Sequence, residues 1–306
     1  VSITGLGTAG PAGKYNFTKK RIYRTVGGTV GVDYRLVAEI PITQATYTDT
    51  LNDAQLPGDP IVTLDFAPPP SDLIGVVAMP GRFFAGFRRN TNEVYFTEPN
   101  YPHAWPVKYA LSVDHQIVGL GVVGNLLVVM TVRSPELIYG STPDALGQEK
   151  IPLVEPCASK RSIATNGDIV IYASPNGLVG IGPGTRARFT DKLFRRDEFQ
   201  VYEPSSMYGK VYDGTYFGDF NSAGGKGAIL VNSIDTPALS QLSTDRHTEA
   251  AYVDSRTAAL YYVAPANGKL YEFDASLTDN DTYTWRSKKF DSPFPISAGV
   301  LQVYAD

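Results

Sequence analysis

Along most of the chain, apolar and polar positions alternate with period two in runs of six to eight residues, each closed by a turn signal. The run 73–79 meets Pro80-Gly81 and is followed by 82–87. The run 117–123 meets Gly124-Asn125 before 126–132, and 162–165 meets Asn166-Gly167 before 169–173. Tyr208 to Tyr212 leads through Asp213-Gly214 into 215–220, and 250–253 leads through Asp254-Ser255 into 258–263. Asn-Gly and Asp-Gly supply the positive φ angles of tight hairpins, so Gly167 and Gly214 are expected in that region. No stretch keeps a helical period for three turns. The hairpin markers Gly81, Gly124, Gly167, Gly214 and Ser255 stand 43, 43, 47 and 41 residues apart. A third strand follows each hairpin, at 93–97, 137–140, 178–181, 228–231 and 269–273. A period in the low forties with three or four strands per unit is that of a β-propeller blade. One small sheet cannot cover both of its own faces, and blades around an axis cover each other. The pattern predicts an all-β chain with a β-propeller of five or six blades. The sixth would come from 283–290 and 300–304, closed by an early strand at 61–66. The competing reading is a sandwich or a stack of hairpins.

Residues 1–55 break this rhythm. Strands are predicted at Lys20-Arg21-Ile22-Tyr23-Arg24, at 34–40 after a glycine turn at Gly27-Gly28, and at 46–50. Their spacing resembles the middle of a fibronectin-type-III β-sandwich, which needs about seven strands. The expectation is therefore a partial, truncated sandwich over 1–55. A proline-rich linker follows over 56–70, with the closing strand inside it, and the propeller spans 71–306.

Composition narrows the function. The 306 residues include 29 glycines, 22 prolines and 19 tyrosines, and only 19% are charged. That mixture excludes a disordered chain, a coiled coil and a helical bundle. A formal charge of −4 argues against a general nucleic-acid binder. No run of 18 apolar residues suggests a transmembrane helix. A single cysteine, Cys157, excludes an internal disulfide and a cysteine-based zinc site. The start at Val1 reads as a processed, trimmed or partial product.

Candidate chemistry is sparse. Two G-x-G-x-x-G matches occur, at Gly5–Gly10 and Gly119–Gly124, but neither is followed by the helix that a dinucleotide site needs. Gly13-Lys14 fails as a phosphate loop because Thr8 and Tyr15 stand where glycine and a hydroxyl residue belong. His103, His115 and His247 are far apart, with no close acidic ligand pattern. Neither H-E-x-x-H nor G-x-S-x-G is present. Asp279-Asn280-Asp281 lacks the spacing of a calcium loop and reads as a solvated turn. Cys157, beside Lys160-Arg161, reads as a buried structural cysteine in preference to an activated thiol. No catalytic residue, cofactor or metal is expected. Basic clusters at 19–24, 160–161, 186–196 and 286–289 read mainly as strand and loop solvation, with Asp197-Glu198 neutralising Arg195-Arg196. Their other reading is a subunit interface, where arginine is enriched. In the loop 98–106, His103 reads as hydrogen-bonded to loop backbone over a packed Trp105, or as a contact surface.

Several segments together resemble a known family. "KRIYRT", "YRLVAEI" and "YTDTL" are followed in order by "EPNYPHAWP" at 98–106, "EPCASKRSI" at 155–163, "YASPNGLVGIG" at 172–182, "LFRRDEF" at 193–199 and "YTWRSKKF" at 283–290. In order and spacing they resemble the tail hub or nozzle (tail tubular) virion proteins of short-tailed bacteriophages, over nearly the whole chain. The resemblance implies a structural virion protein that is not an enzyme, located in the tail. It implies identical subunits in a ring, hexameric, below the portal and adaptor and in contact with other tail proteins. Phage DNA would pass through without sequence-specific binding. Family members carry more sequence at both ends, so missing flanks are expected. Surfaces expected at subunit contacts are Tyr101, His103 and Trp105 in one loop and Arg195 and Arg196 at another blade edge. Two other classes stand beside this one: a glycan-binding or glycan-hydrolysing propeller, and a kelch-like interaction scaffold. A hydrolase would need two carboxylates facing each other across a pocket.

Overall fold

A computed structural model of the chain describes residues 1–9, 17–26, 34–56, 60–61, 63–232, 237–243, 248, 250–254, 256–264 and 267–275. Four strands come first: β1 (Ser2–Ile3), β2 (Lys19–Thr25), β3 (Tyr34–Pro41) and β4 (Tyr47–Thr48). Blade 1 holds β5 (Leu73–Met79), β6 (Phe83–Arg88), β7 (Glu93–Phe96) and β8 (Leu111–Ser112). Blade 2 holds β9 (Ile117–Val123), β10 (Leu126–Thr131), β11 (Glu136–Tyr139) and β12 (Gly147–Lys150). Blade 3 holds β13 (Ala164–Asn166), β14 (Ile169–Ser174), β15 (Gly177–Gly182) and β16 (Thr185–Arg188). Blade 4 holds β17 (Tyr208–Tyr212), β18 (Thr215–Ser222), β19 (Gly225–Val231) and β20 (Leu239–Ser243). A fifth sheet holds β21 (Ala250–Asp254), β22 (Ala259–Ala264) and β23 (Lys269–Glu272). A short helix, α1 (Arg196–Gln200), lies between blades 3 and 4.

Every sheet from β5 onward is an antiparallel meander in chain order. The first strands touch in succession, β5 on β9, β9 on β13, β13 on β17 and β17 on β21. They are the inner strands around an axis, and the fold is a β-propeller. Side chains of β10 alternate between two interfaces. Leu127 and Val129 join Phe83, Phe87 and Phe96 of blade 1. Val128 and Met130 join Val170, Tyr172 and Val179 of blade 3. Such a strand is covered on both faces, which is why it reads as the unbroken apolar run LLVVMT. Ile171, Ala173 and Leu178 carry the same scheme on to Tyr216 and Ile229 of blade 4.

The second glycine motif has its meaning here. A Cβ on Gly119 would lie 2.3 Å from Ile163 Cδ1, and one on Gly121 would lie 2.6 Å from Val170 Cγ1. Both glycines let blade 3 close onto an inner strand, and Gly124, at φ 55°, makes the hairpin turn. Gly167 and Gly214 have positive φ, 51° and 69°. Asp213-Gly214 is the two-residue loop between paired Tyr212 and Thr215, as expected. In blade 3 the pair Asn166↔Ile169 moves the loop one residue on, to Gly167-Asp168.

At the N-terminus β2 pairs with β3 and β1 with β4. Ile22, Val37, Ile40 and Leu56 form a shared core, with Ile3, Leu6 and Tyr47 against it. Two two-stranded sheets thus share one small core. The basic cluster 19–24 is paired, with Lys19 and Arg21 on Glu39, and Arg24 on Asp49 and Asp53.

Among the described residues of 61–66, the expected closing strand does not form. Ile61 N donates to Tyr34 O at 2.7 Å, and Phe66 N turns back to Thr63 O at 3.1 Å. Pro68, Pro69 and Pro70 just beyond have no N–H to continue a ladder. The 27–28 turn and the strands expected at 283–290 and 300–304 lie outside the described residues.

Candidate functional site

The loop after β7 doubles back on itself, with Glu98 N donating to Ala104 O and Ala104 N to Tyr101 O, both at 2.9 Å. Trp105 is only 4% exposed. Its Nε1 donates to Pro102 O at 3.1 Å and its backbone N to Ala67 O at 2.8 Å. It is therefore an internal pillar of the loop, as the packed reading expected, and this leaves it little surface for the contact role that was the other expectation. Tyr109 OH donates to Glu98 Oε2 at 2.9 Å beneath it. Tyr101 and His103 do reach the surface. Tyr101 is 41% exposed, and the Phe66 ring lies 5.0 Å from it and 5.8 Å from His103.

Arg195 and Arg196 are exposed at the start of α1. Glu198 accepts a hydrogen bond from the Arg195 backbone N at 2.7 Å, and among the described residues neither guanidinium is in an ion pair. Asp197 and Glu198 adjoin them in the first turn of α1, so the expected charge balance is local and made without a contact pair. Earlier in that cluster, Arg186 pairs with Glu149, and Arg188 with Glu155 and Asp191. The two expected surfaces sit on different parts of the propeller, one on blade 1 and the other between blades 3 and 4.

The segment 155–163 is the crossover from blade 2 to blade 3, and it bonds to three blades. Cys157 N donates to Thr131 O of blade 2 at 3.0 Å, and Ala158 N to Ala173 O of blade 3 at 2.8 Å. Ser159 Oγ donates to Met207 O at 2.9 Å, and Tyr216 OH of blade 4 to Ser162 O at 2.8 Å. Glu155, 8% exposed, accepts from Ser174 Oγ at 2.7 Å, Asn176 Nδ2 at 2.9 Å and Arg188 Nη1 at 3.0 Å. Cys157 lies buried in the middle of this, as the structural reading expected. Burial pushes its thiol up to about 12. The native chain should therefore not react with a disulfide reagent at pH 8 and should react once unfolded. The fold holds the proton while an exposed thiol, at about 8.5, has lost it. Stability from this group is therefore full below about pH 8.5 and is lost as pH rises towards 12. Rapid labelling of the folded chain would contradict the assignment.

A cavity of about 450 Å³ opens between the hairpin ends of blades 3 and 4. Asn166, Asp168, Thr185 and Asn232 supply polar groups and Phe189 an aromatic face. Of the residues lining it, Asp168 alone carries a carboxylate.

At the entry to blade 2, Asp114, His115 and Glu136 each place a ligand-type atom within 4.8 Å of the others. Asp114 N donates to Glu136 Oε1 at 2.7 Å, Gln148 Nε2 to Glu136 Oε2 at 2.8 Å, and Lys150 pairs with Asp114 at 2.6 Å. The sequence reading missed this set because Glu136 is 22 residues from Asp114. The available signal was strand parity. In a meander the first and third strands start at the same end, so Asp-His before β9 and Glu at the head of β11 meet. His247, Asp279 to Asp281 and the 286–289 cluster lie outside the described residues. In the first glycine motif, Gly5 and Gly7 lie in irregular chain, and Gly10 is outside the described residues. No helix among the described residues is long and apolar enough to cross a membrane.

No protein-family model matches the chain, and no curated protein matches it in sequence. Several solved structures are similar in fold. AztD from Citrobacter koseri aligns with a TM-score of 0.47 at 12% identity, covering 85% of this chain and 71% of that one. Virginiamycin B lyase from Staphylococcus aureus gives 0.42 at 9% identity, over 66% of this chain and 70% of that one. The N-terminal domain of Nup159 gives 0.40 at 11% identity, over 66% and 57%.

Proposed function

We propose that this chain is a structural subunit of the tail of a short-tailed bacteriophage, one of identical copies in a ring around the path of DNA. The observation that carries the reading is what the family-like segments do in the fold. The 155–163 and 172–182 segments hold three blades together through Glu155, Cys157, Ser159 and Ser162. They present no nucleophile with a base and no facing carboxylate pair, which suits a mechanical part and a chain that is not an enzyme. A formal charge of −4 also suits a wall that DNA must slide past, because it offers no counterion-release attraction. A ring needs two different complementary surfaces on each copy. Tyr101 with His103, and Arg195 with Arg196, are the exposed candidates. Immunogold labelling and image reconstruction of purified virions test the reading. The polypeptide is expected on the tail axis, and its absence from particles, or a position in the head shell or fibres, would overturn it. The cavity between blades 3 and 4, polar around one aromatic face, favours glycan binding without hydrolysis as a second reading. Binding on a glycan panel that is lost in Asp168→Ala would support it.

A further inference from the structure

We infer that Asp114, His115 and Glu136 form a binding site for one divalent transition-metal ion of the zinc class at the entry to blade 2. Their ligand atoms lie within 4.8 Å of one another. Ligands held about 2.0–2.2 Å from a single Zn²⁺ stand at most about 4.4 Å apart, so small side-chain rotations close the set. Two independent features separate this arrangement from an ordinary loop tie. The His115 side chain is half-buried, and its Nδ1 is shielded from solvent without a hydrogen-bond partner, a state that folded proteins seldom tolerate. Glu136 is 2% exposed, and its hydrogen-bond donors, Asp114 N and Gln148 Nε2, are both neutral. Among the described residues it makes no direct ion pair: Lys150, its cross-strand partner, acts on it only through space while bonded to Asp114. Each carboxylate oxygen has a second lone pair, and one is free on each Glu136 oxygen for the ion. Gln148 then fixes the orientation of the ligating carboxylate, the usual part of an outer-sphere partner.

The donor set names the metal class. One imidazole and two carboxylates, with no thiolate, suit zinc and its first-row neighbours better than copper(I) or a cluster. Three protein ligands leave a position for water. Binding displaces Lys150 from Asp114 and turns a site of net negative charge into one that a divalent ion neutralises. The ion would clamp the approach to β9 onto the head of β11, across the end of β10.

The test uses the full chain, stripped with a chelator, loaded with excess Zn²⁺ and dialysed into metal-free buffer, with the retained metal measured by elemental analysis. One ion per chain is expected, and Co²⁺ loaded in its place should give visible ligand-field bands. His115→Ala should weaken retention at least about tenfold, the size of loss that even outer-sphere changes produce. His103→Ala, at the exposed histidine of blade 1, should leave retention unchanged. Acidification should release the ion, because all three ligands must be deprotonated. Glu136→Gln is the second variant. Where it does not fold, His115→Ala, with far-UV circular dichroism as the folding control, decides. No retained ion in the unaltered chain, or equal retention in His115→Ala, overturns the site.

Discussion

Lys210→Met should lower the unfolding free energy by about 3–5 kcal/mol, the cost of leaving one member of a buried ion pair behind. Lys210 lies on β17 and Asp219 on β18, and they pair directly with side chains only 10% and 8% exposed. The ammonium is also held over the rings of Phe217 at 5.6 Å and Tyr208 at 5.9 Å. Taking it away removes the ammonium that pairs with the Asp219 carboxylate inside blade 4. The double variant Lys210→Met/Asp219→Leu should recover most of the loss, because it removes both charges and keeps apolar bulk. Denaturant unfolding of the two single variants and the double closes the cycle. A single-variant loss below about 1 kcal/mol, typical of a solvent-exposed pair, would show that the pair is not buried as described.

Glu155→Leu should cost about 3 kcal/mol, since it withdraws the acceptor from three donors at once. Ser174 is buried and Asn176 half-buried, and each donor left without a partner costs about 1–3 kcal/mol. Arg188 keeps Asp191 and suffers less. Glu155→Gln retains the shape and one acceptor, so it should fall between the leucine variant and the unaltered chain. The denaturant midpoint checks this order. A leucine variant as stable as the glutamine one would mean that water satisfies the donors.

Blade repeats and inner hairpins were legible because their signals are local. Asp213-Gly214 declares its own turn, and β10 declares burial on both faces by its unbroken run. The outer strands were silent. β16, with sequence TRAR, and β8, two residues long, sit at solvent edges where no apolar alternation is required. The absence of a strand among the described residues of 61–66 was hidden because β-propensity in that run is real, while its backbone donors go to Tyr34 and Thr63. The same limit applies to the sites. Exposed Arg195 and Arg196 could be placed from composition, whereas Trp105 carried two readings, packed or at a contact, that local patterning could not separate. Its burial depends on Ala67, a neighbour 38 positions away that local patterning does not register. The Asp114, His115 and Glu136 set needed strand order, which the repeat supplies only once the blade is drawn.

The crossover that bonds Thr131, Ala173, Met207 and Tyr216 has a consequence for how the propeller comes apart. In an array where each unit touches only the next, opening can start at any junction and spread stepwise. Here one short segment bonds to three successive units, so release of that segment loosens blades 2, 3 and 4 together. They form a single cooperative block. In amide hydrogen exchange their slowest protons should share one opening free energy.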